Sequence, residues 1–154
     1  MIYFINTLIV LSVFFMMEGV AWIAHKYLMH GLLWFLHKDH HEPRYGKDYE
    51  RNDSFFIIFA TPAIVCFYTG FPDFSSSFWI ATGITLYGIA YFFIHDVFIH
   101  QRLKFLRNAN GLYFKAIRKA HKVHHKHLTK DDGECFGMLW APLKYFIEAK
   151  KNVK

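Results

Sequence analysis

The sequence predicts an all-α integral membrane bundle of three to four transmembrane helices, with a histidine-lined site for two metal ions on the cytosolic side. Three observations lead to this prediction: long apolar blocks, basic residues confined to the segments outside them, and ten histidines in two matching sets. We expect 1–154 to form a single membrane-embedded domain, because 154 residues suffice for one domain of ordinary size and not for two.

Three blocks of the chain are apolar and long enough to cross a bilayer as helices. Residues 2–23 carry one charge, Glu18, and residues 55–71 and 78–94 carry none. Roughly 17–25 apolar residues span the hydrocarbon core as a helix. The turn-like link at 72–77 predicts that the second and third blocks form a helical hairpin. The alternative is buried helices of a soluble bundle, which the hydropathy rule disfavours.

Positive charge is confined to two segments. All eighteen Lys and Arg residues lie in 26–51 or 102–154, and the only charge at the hairpin tip is Asp73. Three spans that start outside place both basic segments on the cytoplasmic side of a bacterial cytoplasmic membrane, facing anionic lipid headgroups. The net charge therefore needs no nucleic-acid partner. The first block lacks the basic start of a signal peptide and is expected to stay as a span.

Ten of the eleven histidines fall into two matching sets of motifs. Each set has an HX4H motif at the end of a predicted span, followed by an HX2HH motif. The first set is His25, His30, His37, His40 and His41, and the second is His95, His100, His121, His124 and His125, with His127 outside both. Because the hairpin returns the chain to the side it left, we expect all ten at one membrane face.

The spacing of the motifs makes two predictions about helices. Positions i, i+3 and i+4 share a helix face, so each HX2HH motif is predicted to converge on one point. In an HX4H motif, five residues rotate by about 500°, which leaves the two side chains about 140° apart. Either the helix is irregular between them or the two histidines serve different metals. We predict a break or irregularity near 27–29 and near 96–98.

The number of histidines indicates two metal ions. Neutral imidazole suits iron, zinc, copper and nickel, and ten imidazoles are too many for one ion that keeps a position open. The alternative is a histidine-rich tract that buffers metal. Such a tract is contiguous, whereas these histidines recur at helical spacing in two matching sets. The two cysteines, Cys66 and Cys135, form neither a disulfide framework nor a CxxC metal site.

Three carboxylates are candidates to hold the free N–H of a metal-bound imidazole. Glu18 lies inside the first predicted span, where a charge is costly and therefore a functional candidate. Its alternative is to pair with another polar group of the bundle. Asp39 and Asp96 lie inside histidine motifs and are candidates for the same role, and the alternative for both is direct binding to a metal.

The C-terminal third of the sequence contains two further features. Residues 113–127 read as an amphipathic helix, with Lys115, Lys119, Lys122 and Lys126 opposite the histidine face. This basic stripe is either a solvated or lipid-facing side or a docking patch for an acidic electron-transfer protein. Residues 135–147 are apolar but short for a span, and we expect an interfacial or re-entrant piece that closes over the site.

The motifs and their neighbours resemble the bacterial β-carotene 3-hydroxylases of the fatty acid hydroxylase and sterol desaturase superfamily. The resemblance covers the whole chain and rests on four stretches: YLMHGLLWFLHKDHHEPRYGKDYERND at 27–53, HDVFIHQR at 95–102, AHKVHH at 120–125 and ECFGMLWAP at 134–142. The stretch LKFLRNANG after Arg102 and the extra His127 are less typical, which leaves the details of the substrate open.

The resemblance implies hydroxylation of a carotenoid β-ring at carbon 3, from β-carotene through cryptoxanthin to zeaxanthin. It also implies two iron ions, which zinc can replace in purified protein, O2 as co-substrate and a ferredoxin-type electron donor. The chain contains no GxGxxG fingerprint and no cysteine set for an iron–sulfur cluster, which agrees with an external donor. Five aromatic residues are candidates to line the substrate channel, and the alternative for each is the membrane-interface belt or packing: Trp22, Trp34, Tyr91, Phe92 and Trp140.

Two other functions compete with this interpretation. One is a hydroxylase or desaturase that acts on a fatty acyl chain, a sterol or another carotenoid position. The other is a membrane protein that binds or transports metal without catalysis. The second needs a polar path through the bilayer, and the predicted spans offer only Glu18 and a few hydroxyl groups.

Overall fold

The computed structural model describes residues 1–42 and 49–151, and this part of the chain is helical without strands. Residues 43–48 of the first resembling stretch lie outside the described residues. The α-helices are α1 (Ile2–Ile23), α2 (Trp34–His41), α3 (Ser54–Gly70), α4 (Ser76–Phe92), α5 (Leu112–His124) and α6 (Leu143–Lys151). Two π-helical segments, Ala24–Leu32 and Phe93–Ile99, extend α1 and α4, and a 3₁₀ turn at Arg51–Asp53 leads into α3.

Three helices are long and apolar enough to span a membrane, which confirms the predicted class of fold. The candidate spans are Ile2–Leu32, Arg51–Gly70 and Ser76–Ile99, with 31, 20 and 24 residues. At about 1.5 Å per residue, the shortest of them is about 30 Å long, which matches the hydrocarbon thickness. The α3–α4 hairpin forms as predicted, although α4 begins at Ser76, two residues before the uncharged block.

The outward faces of these helices are apolar. Phe4, Leu8, Leu11 and Phe15 follow one another along one side of α1, and all are exposed. An apolar stripe of this length on a soluble protein would be a binding surface or an aggregation hazard, whereas in lipid it is the expected outer face. The chain is a membrane protein.

α4 is the central helix and packs against both α1 and α3. The approach of α1 is close at Gly83, where an added Cβ would lie 2.8 Å from the carbonyl oxygen of Val10 and 2.8 Å from the Cβ of Val13. Small residues allow membrane helices to approach in this way. The close packing fixes the ends of α1 and α4 beside one another, and both HX4H motifs are at those ends.

The predicted irregularities near 27–29 and 96–98 are confirmed as the two π-helical segments. The amide of Leu33 donates to the carbonyl of Leu28 at 2.7 Å, and the amide of His100 donates to that of His95 at 2.9 Å. Both bonds join residues five apart, as in a π-helix. Residues five apart therefore share a face here, which brings the two histidines of each HX4H motif together.

The C-terminal part packs as α5 against α6, with a non-helical stretch between them. Residues 135–147 do not form one continuous helix, because α6 begins only at Leu143. The preceding residues run across the end of α1 and its π-helical extension, where Phe136 contacts the rings of His25 and His30. The expectation of a piece that closes over the histidines agrees with this path.

Candidate metal centre

The ten histidines of the four motifs gather into two adjacent groups. The first cluster is His25, His30, His37, His41 and His124, and the second cluster is His40, His95, His100 and His121. In each cluster the ligand nitrogens all lie within 4.8 Å of one another. His125 adjoins the second cluster, with its Nε2 2.8 Å from that of His121. Nine of the ten histidines therefore belong to a cluster of possible ligands, and His125 contacts the second cluster directly.

The expectation that each HX2HH motif converges on one point is wrong. His37 and His41 belong to the first cluster and His40 to the second, while His121 and His125 lie at the second and His124 in the first. Residues four apart differ by about 40° around a helix, but residues at i+3 and i+4 differ by about 100°. α2 and α5 therefore each direct two imidazoles to one cluster and one to the other.

Each half of the chain contributes to both clusters. The first half supplies four histidines to the first cluster and His40 to the second, and the second half supplies His124 to the first. Across the halves, Nε2 of His30 lies 3.2 Å from that of His124, and Nε2 of His40 lies 3.0 Å from that of His95. The two sequence sets thus form one shared cage.

Hydrogen bonds on the outer side fix which ring nitrogen faces inward. Seven of these imidazoles have Nδ1 at hydrogen-bond distance from an oxygen, so that Nδ1 carries the proton and donates it. Four acceptors are backbone carbonyls: Phe136 for His25 (3.0 Å), Lys130 for His30 (3.3 Å), His127 for His41 (2.9 Å) and Glu134 for His124 (2.8 Å). Three are side chains: Asn52 for His37 (2.6 Å), Glu50 for His40 (2.8 Å) and Asp96 for His95 (3.2 Å). The unprotonated Nε2 atoms of these rings therefore face one another.

The distances between the inward nitrogens fit metal coordination. The Nε2–Nε2 distances run from 2.8 Å for His121 and His125 to 3.2 Å for His37 and His41. Two lone pairs at this distance repel unless a cation lies between them. Two nitrogens bound at about 2.1 Å to one ion, at a right angle to one another, lie about 3.0 Å apart. The donor set and its spacing therefore fit two metal ions.

Burial keeps the imidazoles outside the membrane spans neutral at pH 7. Desolvation lowers the pKa of His37 and of His124 to about 2, and that of His41 to about 4, with neighbouring imidazoles adding to the effect. The pKa values of His40 and His121 are also lowered well below the usual value for histidine, again mainly by burial. Neutral imidazole is the form that binds a metal.

Comparison with known proteins places the chain in a family. The sequence profile of the family described as Fatty acid hydroxylase matches residues 10–146. The chain belongs to the fatty acid hydroxylase family. It is 40% identical over 142 residues to the Beta-carotene hydroxylase of Pantoea ananas, covering 92% of this chain and 81% of that protein. No solved structure matches the chain at a significant level.

Similarity extends to relatives from other lineages. The Beta-carotene hydroxylase of Paracoccus sp. (strain PC1) is 38% identical over 136 residues, which cover 88% of this chain and 83% of that protein. The chloroplastic Beta-carotene 3-hydroxylase 2 of Arabidopsis thaliana is 38% identical over 130 residues, covering 82% of this chain and 42% of the plant protein. The chain therefore matches bacterial relatives over most of their length and the plant relative over less than half.

The three carboxylates singled out in the sequence have different positions in the structure. Asp96 accepts from His95, as expected. Glu18 bonds within the described chain to three backbone amides and to Tyr87, and not to an imidazole. Asp39 accepts from the amide of Arg51 at 2.7 Å. Hydrogen bonds to imidazoles are thus seen for Asp96 and not for the other two.

Sequence reasoning missed Glu50 and Asn52, although both lie in the Glu-Arg-Asn-Asp run quoted for the resemblance. Asn52 is buried, and Glu50 is 5% exposed in its side chain. Arg102 joins Glu50 at 3.0 Å, Asp53 at 2.7 Å and Asp96 at 3.1 Å. Two carboxylates beside histidines of the second cluster are therefore bound to one guanidinium.

An apolar cavity of about 560 Å³ leads from the clusters into the membrane-spanning part. It lies between α1, α3 and α4, with His25 and His95 at one end, and it continues along α3 to Phe67. Phe67 lies twelve positions after Phe55 in the same helix, a rise of about 18 Å. Of the five aromatic residues predicted as channel candidates, Tyr91 and Phe92 line this cavity, whereas Trp22, Trp34 and Trp140 are outside the lining formed by the described residues.

Proposed function

We propose that this protein hydroxylates the β-ring of a carotenoid at carbon 3, converting β-carotene through cryptoxanthin to zeaxanthin with O2. The observation that carries the proposal is the meeting of two imidazole clusters with one apolar cavity, in a chain 40% identical to a named β-carotene hydroxylase. A long hydrocarbon enters such a cavity from the bilayer. Its ring then lies at the cavity end occupied by His25 and His95.

The proposed ligands of two iron ions are all ten histidines of the motifs. His25, His30, His37, His41 and His124 hold one ion, and His40, His95, His100, His121 and His125 hold the other. Iron bound there supplies O2 activation and the oxidising power that replaces a ring C–H bond by C–OH. Zinc is expected to replace iron in purified samples, because it stands above Fe²⁺ in the Irving–Williams order.

The protein's own side chains bind, orient and shield the substrate. The cavity walls of α3 and α4 are mostly apolar, so they bind the hydrocarbon and exclude water from the reacting ring. The Nδ1 bonds of the histidines hold each ring in one tautomer and one orientation. We propose no imidazole as a general acid or base, because each is assigned as a metal ligand.

The electrons are proposed to come from a ferredoxin-type protein. Hydroxylation of one C–H bond by O2 consumes two electrons and two protons and releases one water. Lys119, Lys122 and Lys126 are exposed on α5 and just beyond it, on the side opposite the clusters, and suit an acidic partner. Charge reversal of Lys122 and Lys126 should slow turnover with the natural donor and leave metal content unchanged.

We further propose that 1–154 acts as a single domain in a bacterial cytoplasmic membrane, with the metal centre on the cytoplasmic side. The basic segments on either side of the hairpin support this orientation. Membrane lipids are then direct partners of the apolar outer face.

The test is expression in cells that accumulate β-carotene, followed by chromatography of the extracted pigments. We expect cryptoxanthin and zeaxanthin with the unaltered protein and none with His40→Ala. His127→Ala is the matched control, because its imidazole lies outside both clusters and alanine keeps the backbone carbonyl used by His41. Unchanged β-carotene with the unaltered, iron-loaded protein would contradict the proposal, and an oxidised fatty acid or sterol would indicate a different substrate class.

A further inference from the structure

One stretch of the chain supplies most of the outer hydrogen bonds of the first cluster. The carbonyl loop, residues 127–140, provides the backbone acceptors for His41, His30, His124 and His25. Only the fifth member, His37, uses a side chain. At the second cluster, by contrast, His40 and His95 donate to carboxylates. The orientation of four imidazoles thus depends on where this loop lies.

The end of the carbonyl loop is bound to a carboxylate of α1. Oε1 of Glu18 accepts from the amides of Met138 at 2.9 Å, Leu139 at 3.0 Å and Trp140 at 3.1 Å. Its Oε2 accepts from the hydroxyl of Tyr87 on α4 at 2.7 Å. One side chain therefore joins the loop to two membrane-spanning helices by charge-assisted hydrogen bonds.

The loop is shaped for this contact. A Cβ added at Gly137 would lie 2.9 Å from Oε1 of Glu18 and 3.0 Å from the carbonyl oxygen of Trp140. An added methyl group would therefore displace the carboxylate or the backbone. Gly137 directly follows Phe136, whose carbonyl holds His25, so the contact lies next to the cluster in the chain.

We propose that Glu18 is a positioning residue for the first cluster alone: it fixes the carbonyl loop, and the loop fixes four of the five imidazoles. This inference rests on the proposed binding of two metal ions. A role limited to satisfying polar groups in the bundle would affect both clusters alike through loss of stability. The proposed role affects one ion and leaves the other bound to the carboxylate-supported second cluster.

The test compares metal content in variants of the full-length protein. Purified protein is loaded anaerobically with Fe²⁺, challenged with a graded chelator series and analysed for iron per chain. The unaltered protein is expected to hold two ions, and Glu18→Gln to hold one at its original affinity and the other about 10–100-fold more weakly. Glu148→Gln is the matched control and should hold two ions, since the side chain of Glu148 is 44% exposed and pairs with Lys119.

Combined variants identify which ion is lost. Glu50→Gln removes the carboxylate beside His40 and should weaken the second ion, so that Glu18→Gln with Glu50→Gln weakens both. His41→Ala removes a proposed ligand of the first cluster. Adding Glu18→Gln to His41→Ala should therefore leave the ion of the second cluster bound at its original affinity. Two ions at original affinity in Glu18→Gln, or one tight ion in the variant that combines Glu18→Gln with Glu50→Gln, would overturn the inference.

A loop-side variant guards against simple misfolding. If Glu18→Gln aggregates on gel filtration, Gly137→Ala perturbs the same contact with a single methyl group. It should lose one ion selectively, and two tightly bound ions in folded Gly137→Ala would refute the role of the contact. An unaltered protein that binds no metal would instead overturn the proposed function, together with this inference.

Discussion

Replacement of Asn52 by leucine tests how much one outer hydrogen bond contributes to metal binding. Oδ1 of Asn52 accepts from Nδ1 of His37 at 2.6 Å, and both residues are buried. Leucine has a similar size and no acceptor, so Nδ1–H is left without a partner in the folded protein. We therefore expect the ion at the first cluster to bind more weakly, with little change in the packing around position 52.

The magnitude follows from the cost of an unpaired buried donor. Such a donor costs about 1–3 kcal/mol, and about 1.4 kcal/mol corresponds to a factor of ten in affinity. If the imidazole of His37 rotates to find another acceptor, its Nε2 moves away from the metal site. If it does not rotate, its Nδ1–H stays buried without an acceptor. Either way, the affinity of the first ion should fall about 5–150-fold, in line with the effect of other outer ligands.

The assay is competition between the purified protein and a chelator of known affinity, read out as iron per chain. Asn52→Asp keeps an acceptor for His37 and should bind the ion at least as tightly as the unaltered protein. Asn108→Leu makes the same chemical change in an exposed loop and should have no effect. Equal affinities for the unaltered protein and Asn52→Leu would show that the outer bonds do not orient these imidazoles.

Three further substitutions test other parts of the structure. Arg102→Gln separates the three carboxylates that the guanidinium joins and should weaken the ion of the second cluster about tenfold in the same chelator assay, whereas Arg107→Gln should not. Ala63→Phe fills the cavity beyond the clusters and should lower carotene conversion at least about tenfold while both ions stay bound, and Val65→Phe, which faces lipid, should have little effect. Gly83→Ala forces α1 away from α4 and should lower the free energy of unfolding by about 1–3 kcal/mol, measured by thermal unfolding in detergent.

The helices and their irregularities could be predicted from sequence because their signals are local. Apolar blocks of sufficient length predicted the spans, and the angle between residues five apart predicted a disturbed helix at each HX4H motif. His25 and His95 each begin such a motif, and each lies in a π-helical segment. The gathering of ten histidines followed from the hairpin, which returns the chain to one membrane face.

The distribution of histidines between the clusters could not be predicted from spacing alone. Sequence reasoning treated i, i+3 and i+4 as one face, which is adequate for a broad contact surface. A metal ion is a point, and a difference of about 100° between His40 and His41 directs them to different points. Which of them points to which ion depends on how α2 and α5 lie against the π-helical segments.

The acceptors of the first cluster were invisible in the sequence for a different reason. Every residue has a carbonyl, so nothing marks those of Glu134 and Phe136 before the path of the carbonyl loop is known. Glu18 was noticed because a carboxylate inside a span is rare, but its partner Tyr87 lies 69 positions further along the chain and its amide partners about 120. Charge could indicate that Glu18 matters, whereas only the tertiary structure reveals what it holds.

The two sets of histidines repeat in sequence, but their surroundings do not. In the first cluster, neutral carbonyl and amide oxygens accept the outer protons, while Glu50 and Asp96 accept two of those in the second. A carboxylate makes the imidazole bound to it a stronger electron donor, and its charge also attracts a dication. Arg102 offsets part of that charge, yet it binds three carboxylates at once. Although the proposed ligands of both ions are imidazoles, we therefore expect the two sites to differ in affinity, with the second cluster holding its ion more tightly.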